Sequence, residues 1–169
     1  MLNIINNLKP FFEDCYRRIN VREYAKIMRI SPPTSSKLLN YYYNQRILKK
    51  EAYKNYLFFY ANSKSKEFII LSKLYWQTKL KFFLDYFEKR FVNPTIILFG
   101  SLSKAEAKED SDIDLAIFAH KRNLNLDLFE KKIGRKIQIF WFKSFDDIKD
   151  RGLKNNIING YVLTGKLKL

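Results

Sequence analysis

The sequence predicts an α/β (α+β) C-terminal half built on a small mixed sheet, preceded by a mainly helical half and a long bridging helix. Two observations predict it. Apolar positions recur at helical spacing through most of the first half. After Val92-Asn93-Pro94 the rhythm changes to short apolar runs, Thr95–Phe99, Asp112–Phe118 and Lys136–Phe142, separated by turn residues and short helical patterns. The segments so defined run 1–62, 63–93 and 94–169.

In the first segment, Ile4, Ile5, Leu8, Phe11, Phe12 and Tyr16 predict a helix over 4–18, with Pro10 as a kink or a second start. Asn20 is placed to cap a short helix, Val21–Met28, with Tyr24, Ile27 and Met28 as its apolar stripe. Ser31-Pro32-Pro33 is a break, and the next helix runs from Thr34 to about Asn44. It turns Leu38, Leu39 and Tyr42 inward and Ser35, Ser36, Lys37, Asn40 and Tyr41 outward. Two strand-like stretches follow, Ile47-Leu48 and Tyr56–Tyr60, joined by a basic connector over 49–55. Short helix, tight break, polar-faced second helix and hairpin are the winged helix-turn-helix layout. Its functional reading puts Ser35, Ser36, Lys37 and Asn40 in a groove of DNA or RNA, and Lys49, Lys50 and Lys54 of the wing on phosphates. The alternative is a dimerisation or packing module.

Ser63 to about Arg90 reads as one helix. Its apolar positions (among them Phe68, Leu71, Tyr75, Thr78, Phe82, Phe83 and Phe87) exceed one narrow stripe, so it is covered on more than one side, by bridging two modules or by a homodimer contact. In the second half the strands alternate with a helical turn over 102–108, a helix over 126–133 closing on Gly134, and a helix over 145–158. Tyr161–Leu163 forms a terminal strand.

Composition narrows the function. Net charge is +15, concentrated in residues 1–93, where 18 Lys+Arg stand against 7 Asp+Glu. An anionic partner, nucleic acid before membrane, is one account of this; a Lys-, Asn- and Ile-rich codon bias is the other. No apolar run approaches the roughly 20 residues of a membrane span, and the start lacks a signal-peptide pattern, so a cytoplasmic protein is expected. The single cysteine, Cys15, reads as a semi-buried helix residue, and the single histidine, His120, excludes a histidine-built zinc cluster.

The chemistry concentrates between Phe99 and Leu115. Gly100 has no Cβ, so a triphosphate can approach the backbone where the strand ends, and Ser101 adds a hydroxyl. The following helical turn presents free N–H groups to that phosphate. Asp112 and Asp114 alternate with Ile113 and Leu115, so a strand puts both carboxylates on one face. Mg²⁺ is the counter-ion such a pair calls for, since it binds one or two carboxylates together with substrate phosphates. Two such ions would activate an attacking hydroxyl and stabilise a leaving pyrophosphate.

Residues 95–118 resemble the DNA polymerase β-type nucleotidyltransferase superfamily, whose motif is an apolar residue, Gly-Ser, a spacer and Asp-apolar-Asp-apolar. More narrowly they resemble the minimal nucleotidyltransferases of prokaryotes. Gly100-Ser101, Glu106-Ala107, Asp110 and Ser111-Asp112-Ile113-Asp114-Leu115 stand where that group has the same residues. Lys104 and Lys108 replace arginines usual there, and Leu102 and Ala105 stand where an Arg and a Gly are common. The resemblance implies a small mixed sheet flanked by helices, Asp112 and Asp114 as catalytic metal ligands, and nucleotide contacts from Gly100, Ser101, Lys104 and Ser111. It implies an NTP, ATP first, as substrate. The family's third carboxylate lies in a pattern like Gly-Arg-Lys-apolar-Asp; here Gly134-Arg135-Lys136-Ile137 leads to Gln138. An amide is no general base at neutral pH, and losing one costs roughly 10²–10⁴ in rate. Either the acceptor is activated otherwise, or Asp146 or Asp147 reaches in. Two functions follow: an Mg²⁺-dependent transferase of NMP to an acceptor hydroxyl, or a DNA-binding regulator, antitoxin-like and paired with a toxin-type partner, whose transferase domain is weak or inactive.

Overall fold

The computed structural model describes residues 2–167. It divides into two compact units, one taking the chain through Tyr75 together with Ala105–Glu109, the other taking Trp76–Lys104 and the chain from Asp110 onward.

The first unit holds α1 (Leu2–Glu13), β1 (Ile19–Asn20), α2 (Val21–Met28), α3 (Pro32–Asn44), β2 (Leu48–Tyr53), β3 (Tyr56–Ala61) and the start of α4 (Lys66–Glu88). Helix α1 passes through Pro10 and ends at Glu13, short of the expected residue 18; Tyr16 lies beyond it and is 54% exposed. Cys15 is buried in the turn after the helix, its N–H donating to the Ala107 carbonyl at 2.8 Å. Asn20 caps α2 by accepting the Glu23 N–H at 2.9 Å, and Arg29 ends it in a left-handed conformation. Tyr24 and Ala25 are the buried residues of α2; Ile27, expected inside, is exposed. Helix α3 begins at Pro32, capped by Ser31, rather than at Thr34. Prolines fit the first turn of a helix because the N–H groups there have no intrahelical acceptor.

Three strands make an antiparallel sheet in the order β1-β3-β2. The expected seven-residue connector is mostly strand: β2 runs to Tyr53, which pairs with Tyr56 across a two-residue turn at Lys54-Asn55, with Lys54 at φ +52°. One face of this sheet is buried, through Ile19, Leu48, Phe59 and Ala61. It joins Leu8, Phe11, Phe12, Tyr24, Leu39 and Phe68, all fully buried. Phe12 packs on Phe68 and Tyr75 with ring centroids 5.1 and 5.3 Å apart.

The second unit continues α4 and adds β4 (Thr95–Phe99), α5 (Gly100–Ser103), β5 (Ile113–Phe118), α6 (Asp127–Ile133), β6 (Ile137–Phe142), a 3₁₀ turn (Phe145–Asp147), α7 (Arg151–Ile158) and β7 (Tyr161–Thr164). The sheet order is β6-β5-β4-β7; β5 and β6 are parallel, and β4 is antiparallel to both β5 and β7. A small mixed sheet is therefore present. One face packs Ile97, Phe99 and Ala116 with Phe145, Ile148 and Ile157. On the other, Trp141 meets Phe87 and Phe91 with centroids 6.2 and 5.7 Å apart, and Phe129 of α6 meets Phe83 at 5.3 Å. Trp76 is the largest fully buried side chain; the expected stripe omitted it and included Thr78 and Phe82, which are exposed.

Two expectations about helices fail here. The turn over 102–108 is helical only from Gly100 to Ser103. The single helix over 145–158 is two elements, because two capping residues fall within it. Ser144 and Asp147 form a capping box at the start of the 3₁₀ turn, the Ser144 N–H donating to Asp147 Oδ2 at 2.9 Å, and Asp150 restarts the chain as α7 by accepting the Leu153 N–H at 2.5 Å. Among the described residues no helix is long and apolar enough to cross a membrane.

Candidate functional site

Strand β4 delivers Gly100 at its C-terminal end, and β5, antiparallel to it, begins at the same end of the sheet. Phe99 pairs with Asp114, so Gly100 lies beside the carboxylate. Its φ is +72°, a left-handed conformation that glycine adopts without strain. A Cβ built on Gly100 would overlap Oδ2 of Asp114 and lie 3.3 Å from its Cγ. Glycine is thus required twice, by backbone angle and by the space the carboxylate fills.

Asp112 sits just before β5, exposed, and Asp114 is its second residue, partly buried. Burial, and then the charge of Asp112, push the Asp114 carboxyl above its ordinary value. Ile113 and Leu115 are fully buried, so alternation separates carboxylates from core as the strand pattern requires. The loop in front of Asp112 is clamped from β6's side of the sheet. Arg135, buried, donates from Nη1 to the Ser111 carbonyl at 2.5 Å, and the Ile113 N–H donates to the Lys136 carbonyl at 2.9 Å. The Arg135 guanidinium also stands 5.2 Å from the Trp76 ring centroid. Arg135 has no assigned role in the sequence reading, because its partner, the Ser111 carbonyl, lies 24 residues away along the chain.

Gln138 is in register with Asp114 across the parallel β5–β6 pair and is exposed. The amide therefore occupies the strand position beside Asp114. Neither acidic substitute reaches this end of the sheet. Asp147 lies beyond the opposite end of β6, its Oδ2 accepting the N–H groups of Lys143 and Ser144 at 3.0 and 2.9 Å. Asp146 is exposed in the same turn, 3.8 Å from the Lys154 ammonium. Neither Asp146 nor Asp147 therefore reaches in beside Asp112 and Asp114.

Of the other nucleotide-site candidates, Ser101 is the second residue of α5, a single turn whose N-terminal field is correspondingly weak. Ser103 Oγ donates to the Gly100 carbonyl at 2.9 Å and holds that turn closed. Lys104 follows it, and its ammonium donates to Asn156 Oδ1 of α7 at 3.0 Å. Lys108 groups with the first unit, where its ammonium is 5.8 Å from the Tyr16 ring centroid. Among the described residues no cluster of three or more His, Cys, Asp or Glu is assembled. The donors present, two neighbouring carboxylates with one partly buried against a glycine, fit a hard divalent cation that also takes oxygen from a phosphate.

In the first unit, Ser35 is fully buried and donates its hydroxyl to the Ser31 carbonyl at 3.1 Å. It is a core residue of α3, and the expectation that it faces a nucleic acid is wrong; its small hydroxyl satisfies the preceding turn instead. Asn40 donates to Ser36 at its carbonyl, 2.9 Å, and its hydroxyl, 3.4 Å, folding back on its own helix. Lys37, Lys50 and Lys54 are exposed and Lys49 partly so.

The family model described as polymerase beta, nucleotidyltransferase, matches residues 83–166. That span contains Gly100, Ser101, Asp112, Asp114 and Gln138. No curated protein matches the chain significantly, and no solved structure does.

Proposed function

Proceeding from residues 83–166 as a polymerase beta nucleotidyltransferase domain, we propose that the protein is an Mg²⁺-dependent transferase of NMP from an NTP, ATP first, to an acceptor hydroxyl. The observation that carries the reading is the fit of Gly100 against Asp114, with Asp112 beside it at the same sheet end. Asp112 and Asp114 would hold Mg²⁺, which supplies charge neutralisation for the triphosphate and the leaving group. Ser101 and the backbone at Gly100 receive phosphate oxygens, Lys104 adds a cation one turn further on, and Arg135 holds the Ser111 carbonyl so that Asp112 is correctly placed. In the reaction the acceptor oxygen forms a bond to the α-phosphorus, the bond from that phosphorus to the bridging oxygen breaks, and pyrophosphate leaves. Gln138 cannot take the hydroxyl proton, which passes to water.

The first unit is read as a winged helix-turn-helix domain that holds a nucleic acid, within an organisation of 1–62, a connecting helix over 63–93, and 94–169. The order α1-β1-α2-α3-β2-β3 and the three-stranded sheet support that reading. Ser36 and Lys37 of α3 and Lys49, Lys50 and Lys54 of the hairpin are its contact residues; Asn40, bonded back to Ser36, is not among them.

A specific observation favours a second reading. Gln138 stands beside Asp114 where the third acid is expected, so the same domain would bind nucleotide without turning it over rapidly, in a DNA-binding regulator with a toxin-type partner. One assay separates the two: incubation with each labelled NTP, Mg²⁺ and candidate acceptors. Label transferred by wild type but not by Asp112→Asn/Asp114→Asn supports the transferase; equal label from both rejects catalysis at this site.

A further inference from the structure

We propose that the open face of the β1-β3-β2 sheet is a stacking platform for an unpaired stretch of nucleic acid. This rests on the nucleic-acid reading of the first unit and specifies the kind of nucleic acid. Cross-strand partners share a face, and three rows lie on the face opposite the core: Lys49 with Tyr60, Glu51 with Phe58, and Tyr53 with Tyr56. Four of these six residues are aromatic. Tyr53 and Tyr56, at the hairpin tip, are 62% and 55% exposed, and Phe58 and Tyr60 are partly exposed.

Aromatic side chains on the solvent side of a strand are costly to leave in water and contribute nothing to this unit's core, which the opposite face supplies. Their spacing suits bases one at a time: the Tyr56 and Phe58 ring centroids are 6.3 Å apart along β3. Positive charge accompanies the rings. The Lys54 ammonium is 5.5 Å from the Tyr53 centroid and Lys49 shares the row of Tyr60, while the Arg18 guanidinium, 5.2 Å from the Tyr60 centroid, offsets the acid on this face. Glu51, the acidic member of the face, is paired with Arg18. Rings for bases with cations for the intervening phosphates are the chemistry that recognises a single strand.

Duplex recognition through α3 is less well provided. That helix carries one basic residue, Lys37, and Ser35 and Asn40 are turned to their own backbone. Base pairs in a duplex keep their faces stacked on one another, so the rings on the sheet have nothing to receive from it.

The test is fluorescence anisotropy of the full chain at low salt, with a labelled oligo(dT) or oligo(U) of roughly 12 nucleotides against a duplex of matched length. Tyr53→Ser/Tyr56→Ser and Tyr53→Phe/Tyr56→Phe are the variants; both positions are exposed at the hairpin tip, and circular dichroism melts check the fold. Single strand should bind at least about tenfold tighter than duplex, the serine pair should lose about tenfold or more of that affinity, and the phenylalanine pair should keep it. Preference for duplex, or unchanged single-strand binding by the serine pair, overturns the platform while leaving nucleic-acid binding in place. No binding of either oligonucleotide overturns both and points to a protein partner for this face.

Discussion

Asp114 of β5 and Gln138 of β6 are direct register partners in the parallel pair at the centre of the site, one a partly buried acid and the other an exposed amide. The two side chains therefore leave the sheet on the same side, and the site carries two carboxylates and an amide. Exchanging that amide for an acid should restore a proton acceptor. Gln138→Asp is expected to raise transferase turnover by at least about tenfold, within the roughly 10²–10⁴ a general base contributes. Because Gln138 is exposed, its replacement should leave the melting temperature within a degree or two. Single-turnover rates with labelled ATP check it; an unchanged or lower rate means the acceptor is activated without a base at this strand position.

Gly100→Ala should damage both fold and site. Left-handed φ alone costs a non-glycine residue about 1–2 kcal/mol, and the new methyl displaces the Asp114 carboxylate. Removing that carboxylate should relieve part of the damage, since the Asp114 Cβ would lie at an ordinary 3.5 Å from the added methyl. Urea unfolding of Gly100→Ala, Asp114→Ala and the double variant forms the cycle. The double variant should be more stable than the sum of the single effects predicts. Strict additivity would show that Gly100 is there for its backbone angle alone.

Gly100, Asp112, Asp114 and the strands that carry them could be read in the sequence because a short buried strand has an unbroken apolar signature and a functional turn interrupts it. The hairpin strand Leu48–Tyr53 hid behind Lys49, Lys50 and Glu51, since a strand with one face in solvent looks like a polar loop. Ser35 reads as surface by residue type, yet an α-helical hydroxyl is readily buried when it bonds the carbonyl one turn back. The segment 145–158 has helical periodicity throughout, and only Ser144 and Asp150, two caps close together, mark the break. Arg135 and Asn156 could not be found by spacing, because their partners, the Ser111 carbonyl and Lys104, are distant along the chain.

Glu130 provides a pH signature for the frame behind the site. Its carboxylate accepts the Ile137 N–H and the Lys136 ammonium, each at 2.9 Å, and these contacts hold its proton affinity below the ordinary glutamate value. A carboxyl depressed in the folded state adds stability above its unfolded pKa, and loses it as pH falls through the folded value. Wild type should therefore be more stable than Glu130→Gln at neutral pH, with the gap closing once pH drops below the ordinary glutamate range. Thermal melts of both proteins across that range check it, and a gap independent of pH would assign the effect of the substitution to packing.

The central claim is that Asp112 and Asp114 together hold a divalent metal with a nucleotide. Mn²⁺ binding followed by electron paramagnetic resonance, with and without ATP, addresses it without depending on the acceptor or on turnover. Wild type should take up Mn²⁺ more tightly in the presence of ATP, and Asp112→Asn/Asp114→Asn should lose at least about tenfold in that affinity, the size expected when charged ligands are removed. Equal uptake of Mn²⁺–ATP by wild type and the double variant would contradict the assignment.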